Sequence, residues 1–170
     1  MPQFDQAIAP VLYEEPIDKM ICDLKYREQL PLARIAAELI ADSVLKSGEK
    51  KPDLICSVPM THRAIRKRGF NQAAFIAKLV GKRLGMTVSH DLLKKRRETA
   101  HQSELDARTR AKNLKNAFGC TRRIDGMHLA LVDDVLTTGA TADEISTVLK
   151  KTGAARVDLW VCARTAEVSR

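Results

Sequence analysis

The chain has 170 residues, of which 45% are hydrophobic, 29% charged and 4% aromatic, the make-up of one globular domain with an aliphatic core. No apolar run reaches the roughly 18 residues that cross a bilayer, so a membrane protein, a fibrous chain and a small disulfide scaffold are excluded. The net charge of +8 is uneven: Arg63 to Arg123 holds 17 basic and 4 acidic residues, leaving a mildly acidic remainder and pointing to phosphates, nucleic acid or an acidic protein as partner, with a plain solvated basic surface as the alternative.

Taken in order, Pro16 opens a first helix, with Ile17, Met20, Ile21 and Leu24 on one face. Pro31 opens a second, with Leu32, Ile35, Ala36, Leu39, Ile40 and Val44 expected on its buried side and Ser47-Gly48 at its end. Asp53 to Val58 reads as a buried strand closed by Pro59. A third helix is predicted from about Asn71 to Leu84, on Phe70, Ala73, Ala74, Ala77, Val80 and Leu84, with Gly85 as its cap. Short strands follow near Met86 to Val88 and Leu92 to Lys94. The stretch from Lys95 to Asn116 is a long polar insertion with a helix over Asp106 to Leu114; such insertions are commonly functional loops. A strand over His128 to Val132, a helix from Ala140 to Lys151 ended by Gly153, and a strand from Val157 to Cys162 complete the chain. Strand-helix alternation with continuous apolar strands predicts a three-layer α/β/α domain around a mainly parallel sheet, with ligands at the strand C-termini.

Cys22, Cys56, Cys120 and Cys162 are far apart, as are the four histidines, so no metal-ligand cluster and no disulfide framework is expected. The N-terminus lacks a basic-then-apolar signal peptide. A cytoplasmic protein with reduced thiols is the economical expectation.

The chemistry concentrates in Leu131-Val132-Asp133-Asp134-Val135-Leu136-Thr137-Thr138-Gly139-Ala140-Thr141. Two adjacent carboxylates at a strand end are costly without a ligand, cation or donors. A hydroxyl- and glycine-rich turn at a helix N-terminus then favours a phosphate. Carboxylates for vicinal hydroxyls and a phosphate turn about one sugar away describe a pocket for a ribose 5-phosphate. An Asp cap and Thr-backbone bonds explain single residues of this string, but not the whole.

This segment resembles the 5-phosphoribosyl 1-pyrophosphate (PRPP) signature of type I phosphoribosyltransferases. With Val58-Pro59-Met60-Thr61, Arg66-Lys67-Arg68-Gly69-Phe70-Asn71-Gln72, the spaced Lys94, Arg96, Gln102, Leu105, Arg108 and Asn113, and the terminal Ala163-Arg164-Thr165, the chain resembles the competence protein F family along almost its whole length. That resemblance implies the type I phosphoribosyltransferase fold with a flexible active-site loop, as one domain over residues 1–170. The four-cysteine zinc segment common at the start of the family has no counterpart in the sequence: either the protein lacks it or the chain is a truncated version, and zinc is not carried over.

The resemblance further implies roles. Thr137, Thr138, Gly139, Ala140 and Thr141 would hold the PRPP 5-phosphate. Ser57, Val58, Pro59, Met60, Thr61 and Arg68 would hold the pyrophosphate. Asp133 and Asp134 would hold the ribose hydroxyls, directly or through water on a Mg²⁺ carried by PRPP, with no direct protein ligand to the metal. Arg96 and Arg108, with Arg97 and Arg110, would supply the basic groups of the closing loop. The implied reaction transfers ribose 5-phosphate to a nitrogen acceptor and releases pyrophosphate. The alternative is a non-catalytic competence factor in DNA uptake. That factor would bind single-stranded DNA or competence proteins; on either reading the expected partners include single-stranded DNA, competence helicase and recombination-mediator proteins, and a second copy of the chain.

Overall fold

The computed structural model describes residues 2–26, 30–99 and 114–166. Its elements are β1 (Gln6–Ile8), β2 (Val11–Leu12), α1 (Ile17–Tyr26), α2 (Leu30–Ser47), β3 (Leu54–Ser57), α3 (His62–Arg68), α4 (Gln72–Leu84), β4 (Val88–Ser89), β5 (Leu93–Lys95), β6 (Phe118–Cys120), β7 (His128–Leu136), α5 (Ala140–Lys151) and β8 (Arg156–Arg164). Among the described residues, six strands form one sheet in the order β1-β8-β7-β3-β4, with β2 also pairing β8. Every pairing in it is parallel. β5 and β6 form a separate antiparallel ribbon.

The apolar strands are buried on both faces, and their period of two sorts side chains between two cores. Ala130, Val132, Trp160 and Cys162 pack with α1, α2 and α4. Leu129, Leu131, Leu159 and Val161 pack with α5 and with Phe118 of the ribbon. This is the three-layer arrangement expected from the alternation of elements. The helix from Ala140 to Lys151 falls where its spacing predicts, and α4 begins one residue after Asn71. Asn71 caps α4 by accepting from the Ala74 N–H at 3.3 Å.

The differences have local causes. Ile35 is 47% exposed. The buried stripe of α2 runs through Ala33, Ala36, Ala37, Ile40, Ala41 and Val44, and Ile35 lies about half a turn from its centre. Helix α3 was not expected, because it buries no residue and so shows no apolar period. Its Thr61 cap, accepting from the Ala64 N–H at 3.2 Å, defines its start instead. β1 and β2 are too short to be read from alternation; each borrows its geometry from β8. The expected helix over Asp106 to Leu114 lies outside the described residues except for Leu114, as does most of the polar insertion. None of the described helices is long and apolar enough to cross a membrane.

At the N-terminal edge of the sheet, His128 Nε2 meets Asp158 Oδ2 at 2.8 Å, and Arg156 Nε donates to Asp158 Oδ1 at 2.8 Å. Asp158 is 3% exposed, so its removal strands two polar partners. Asp158→Ala is expected to cost about 2–4 kcal/mol of stability, read as a lower urea midpoint. Burial also pushes the thiols of Cys56 and Cys162 up, to about 12 and about 11. Their thiolate fractions at pH 8 are then roughly one in ten thousand and one in a thousand. Cys22 is exposed and Cys120 half-buried. Titration with a chromogenic disulfide at pH 8 should therefore modify Cys22 and Cys120 in the native state, and Cys56 and Cys162 only after unfolding.

Candidate functional site

The parallel strands end on one edge, and a cleft of about 1060 Å³ opens there, large enough for a nucleotide-sized ligand. Its first wall is the end of β7 and the turn into α5. β7 runs beyond the expected end at Val132, so Asp133 and Asp134 lie within the strand rather than after it. Asp133, Val135 and Leu136 remain in register with Val161, Ala163 and Arg164 of β8. Adjacent strand residues face opposite sides, and the two acids accordingly have different surroundings. Asp134 is 4% exposed, and its Oδ2 accepts from Gln72 Nε2 on α4 at 3.0 Å. Asp133 is half-buried toward the β5–β6 side, and its Oδ1 accepts from the Asp134 N–H at 2.9 Å.

Thr137 and Thr138 are exposed, and Gly139, Ala140 and Thr141 half-buried; all five border the cleft. Gly139 precedes α5 with φ 76°, a left-handed conformation that an L side chain rarely adopts. Two distant segments steady the turn. Gln3 N–H donates to Asp143 Oδ1 at 2.7 Å, and Thr165 N–H donates to the Leu136 carbonyl at 3.0 Å. The turn thus presents hydroxyls, backbone N–H groups and the positive end of the α5 dipole to the cleft.

The second wall is the β3–α3 connection. Val58, Pro59, Met60 and Thr61 border the cleft, with Arg63, Lys67 and Arg68 of α3. Ser57 does not reach that border; it is the last residue of β3, in register with Val132. The Val58 N–H donates to the Val132 carbonyl at 3.0 Å, and Asn71 Nδ2 donates to the Val58 carbonyl at 3.0 Å, so the connection is tied to β7 and to α4.

The third wall comes from β5 and the residues after it. Lys95 Nζ lies 5.7 Å from the Phe118 ring centroid and donates to Thr99 Oγ1 at 2.9 Å. Burial holds its ammonium below the usual lysine range, with Arg97 adding to the effect and Glu98 and Asp133 opposing it. Thr61 Oγ1 donates to Glu98, which joins this wall to the second.

The structure therefore brings together most of the residues singled out from the sequence: both acids, the whole Thr137–Thr141 turn, Val58 to Thr61, and Arg68. It does not bring Arg96 to them. Next to Lys95, Arg96 faces away from the cleft and lies across Gly119, where an added Cβ would sit 2.5 Å from its Nε. Arg96 borders instead a smaller recess of about 470 Å³ with Lys115, Glu144 and Lys151. Arg97 Nη2 donates to the Lys115 carbonyl at 2.9 Å. Arg108 and Arg110 lie outside the described residues. Several cleft residues had no assigned role in the sequence, among them Lys95, whose burial depends on packing against Phe118 of the ribbon, and Gln72, a polar residue at an otherwise apolar helix start.

No protein-family model matches the chain. Among solved structures it is similar to a purine phosphoribosyltransferase from Pyrococcus horikoshii Ot3, with 16% identity and a TM-score of 0.46 over 78% of this chain and 82% of that one. A hypoxanthine phosphoribosyltransferase from Staphylococcus aureus gives 16% identity and a TM-score of 0.46, covering 81% and 68% of the two chains. The sequence is 35% identical over 168 residues to DNA utilization protein YhgH of Salmonella typhimurium, covering 96% of this chain and 74% of that protein. It is 34% identical over 168 residues to the protein of the same name from Escherichia coli K12, at the same two coverages. Competence protein F of Haemophilus influenzae is 32% identical over 170 residues, again covering 96% and 74%. Identity at this level along nearly the whole chain places it in the family of competence protein F and DNA utilization protein YhgH.

Proposed function

We propose that the cleft binds PRPP with Mg²⁺ and transfers its ribose 5-phosphate to a nitrogen acceptor. The observation that carries this reading is the facing of two walls across one cleft. The acids of β7 and the Thr137–Thr141 turn stand on one side, and Val58 to Thr61 with Arg63, Lys67 and Arg68 on the other. The spacing suits a ligand with a phosphate at one end, ribose hydroxyls in the middle and a pyrophosphate at the other end. Asp133 and Asp134 would meet the ribose hydroxyls directly or through water on a Mg²⁺ held chiefly by phosphate oxygens. That ion would supply charge neutralisation at the departing pyrophosphate.

In the transfer, the bond from ribose C1 to the pyrophosphate oxygen breaks, and the oxygen keeps the electron pair. A bond from C1 to the acceptor nitrogen forms, and the acceptor's proton leaves to solvent or a basic group. Lys95 and Arg68 contribute positive charge beside the departing group, and Asp133 and Asp134 orient the sugar. Calorimetric titration with PRPP and Mg²⁺, followed by pyrophosphate release across a panel of nitrogen bases, tests the reading. The unaltered chain is expected to bind and turn over; the double change Asp133→Ala with Asp134→Ala is expected to weaken PRPP binding at least about 100-fold, the loss of charge-assisted bonds to ribose. Binding without turnover on any acceptor would remove the transferase part of the proposal.

A second reading, a DNA-binding competence factor, is favoured by α3, where Arg63, Arg66 and Lys67 are exposed with no acidic residue in the helix, and by the names of the relatives. Single-stranded DNA binding through these side chains should weaken with salt, by about 0.7 in the log–log slope per phosphate contact. Binding that ignores salt, or that survives Arg63→Ala with Arg66→Ala and Lys67→Ala, counts against this surface.

A further inference from the structure

At the first residue of α4 lies a buried amide to which the roles above assign nothing. Gln72 is 7% exposed. Its Nε2 donates to Asp134 Oδ2 at 3.0 Å, and its Oε1 accepts from Arg68 Nη1 at 3.2 Å. These partners fix the orientation of the amide without ambiguity. A carboxylate only accepts and a guanidinium only donates, so each end of Gln72 has one permitted neighbour.

Resting on the reading of the cleft as a PRPP site, the geometry points to Gln72 as a positioning residue: a neutral spacer that holds the Asp134 carboxylate and the Arg68 guanidinium apart within one cleft. Opposite charges in a partly desolvated setting draw together strongly. A direct Arg68–Asp134 ion pair would turn both groups toward each other and away from a ligand that needs a carboxylate at its hydroxyls and a cation at its pyrophosphate. The amide engages one oxygen of the acid and one nitrogen of the base while adding no charge. A glutamate there would set one carboxylate against another, and a leucine would offer neither bond.

The same short run anchors the spacer. Asn71 Oδ1 caps α4 and Asn71 Nδ2 holds the Val58 carbonyl, while Gly69 closes α3 with φ 88°. Arg68, Asn71 and Gln72 therefore join α3, the β3–α3 connection and β7 at one point. The placement of the acid that would orient the sugar is thereby linked to the loop that would receive the pyrophosphate.

Two arms test the spacer. In crystal structures of the unaltered chain and of Gln72→Leu, the substitution is expected to bring Arg68 and Asp134 within about 4 Å, direct ion-pair range; side chains that keep their positions overturn the proposal. In titrations with PRPP and Mg²⁺, the affinity of Gln72→Glu relative to the unaltered chain at the same pH is expected to fall about tenfold at pH 8. It should recover toward pH 6, because the introduced carboxyl, once protonated, donates to Asp134 as the amide does. A ratio that does not change with pH is what packing alone predicts, and it overturns the proposal too. Should Gln72→Leu fail to fold, the near-isosteric Gln72→Glu decides by this pH profile and by its own crystal structure at pH 8, where Asp134 is expected to turn from the new carboxylate; an unmoved Asp134 overturns the spacer. Absence of PRPP binding by the unaltered chain would instead sink the reading of the cleft, and the crystal structures would still decide what Gln72 does.

Discussion

Strand β7 lies in the middle of the sheet, hydrogen-bonded to β3 on one side and along most of its length to β8 on the other. That double pairing is the constraint from which the site follows. It keeps the backbone extended through Asp133 and Asp134, so the two carboxylates must diverge to opposite faces. One enters the layer of α4 and meets a buried amide; the other turns toward the ribbon and Lys95. Had the strand ended at Val132, the acids would belong to a turn and could share one environment. Because it continues, the two have unequal partners and therefore unequal tasks toward any common ligand.

The walls of the cleft are held by bonds that cross between elements far apart in sequence. The β3–α3 connection is tied to β7 and α4, and the β7–α5 turn is braced by Gln3 and Thr165 near the two ends of the chain. The phosphate site proposed for this turn would be only as well aimed as its backbone, and these braces hold that backbone in place. Such preorganisation is what makes electrostatic stabilisation effective.

The net charge of the chain separates into surfaces with different chemistry. Arg63, Lys67, Arg68 and Lys95 border the main cleft, while Arg96, Lys115 and Lys151 border the smaller recess. Lys78, Lys82 and Arg83 are exposed on α4. Lys95 is the last residue of β5 and Arg96 the first after it, and that single step along the chain sends two neighbouring cations to two different cavities. The basic middle of the sequence thus describes several surfaces rather than one.

The layered parallel fold, the helix from Ala140 to Lys151 and the glycine turn before it were legible in the sequence. They depend on local apolar period, on a glycine with positive φ, and on hydroxyls beside a helix start. The exposure of Ile35, helix α3 and the edge strands β1 and β2 were not, because each depends on what packs or pairs nearby rather than on its own pattern. The site divides along the same line. Residue type and order alone marked Asp133, Asp134 and Thr137 to Thr141 as a candidate group, and the structure places them on one cleft. Only the tertiary structure decided that the acids part to opposite faces, that Lys95 rather than Arg96 reaches the cleft, and that Gln72 stands between Arg68 and Asp134. Chemistry written along one segment can be read in one dimension; the separation of charges across a cleft is set by strands and helices that meet only when the chain is folded.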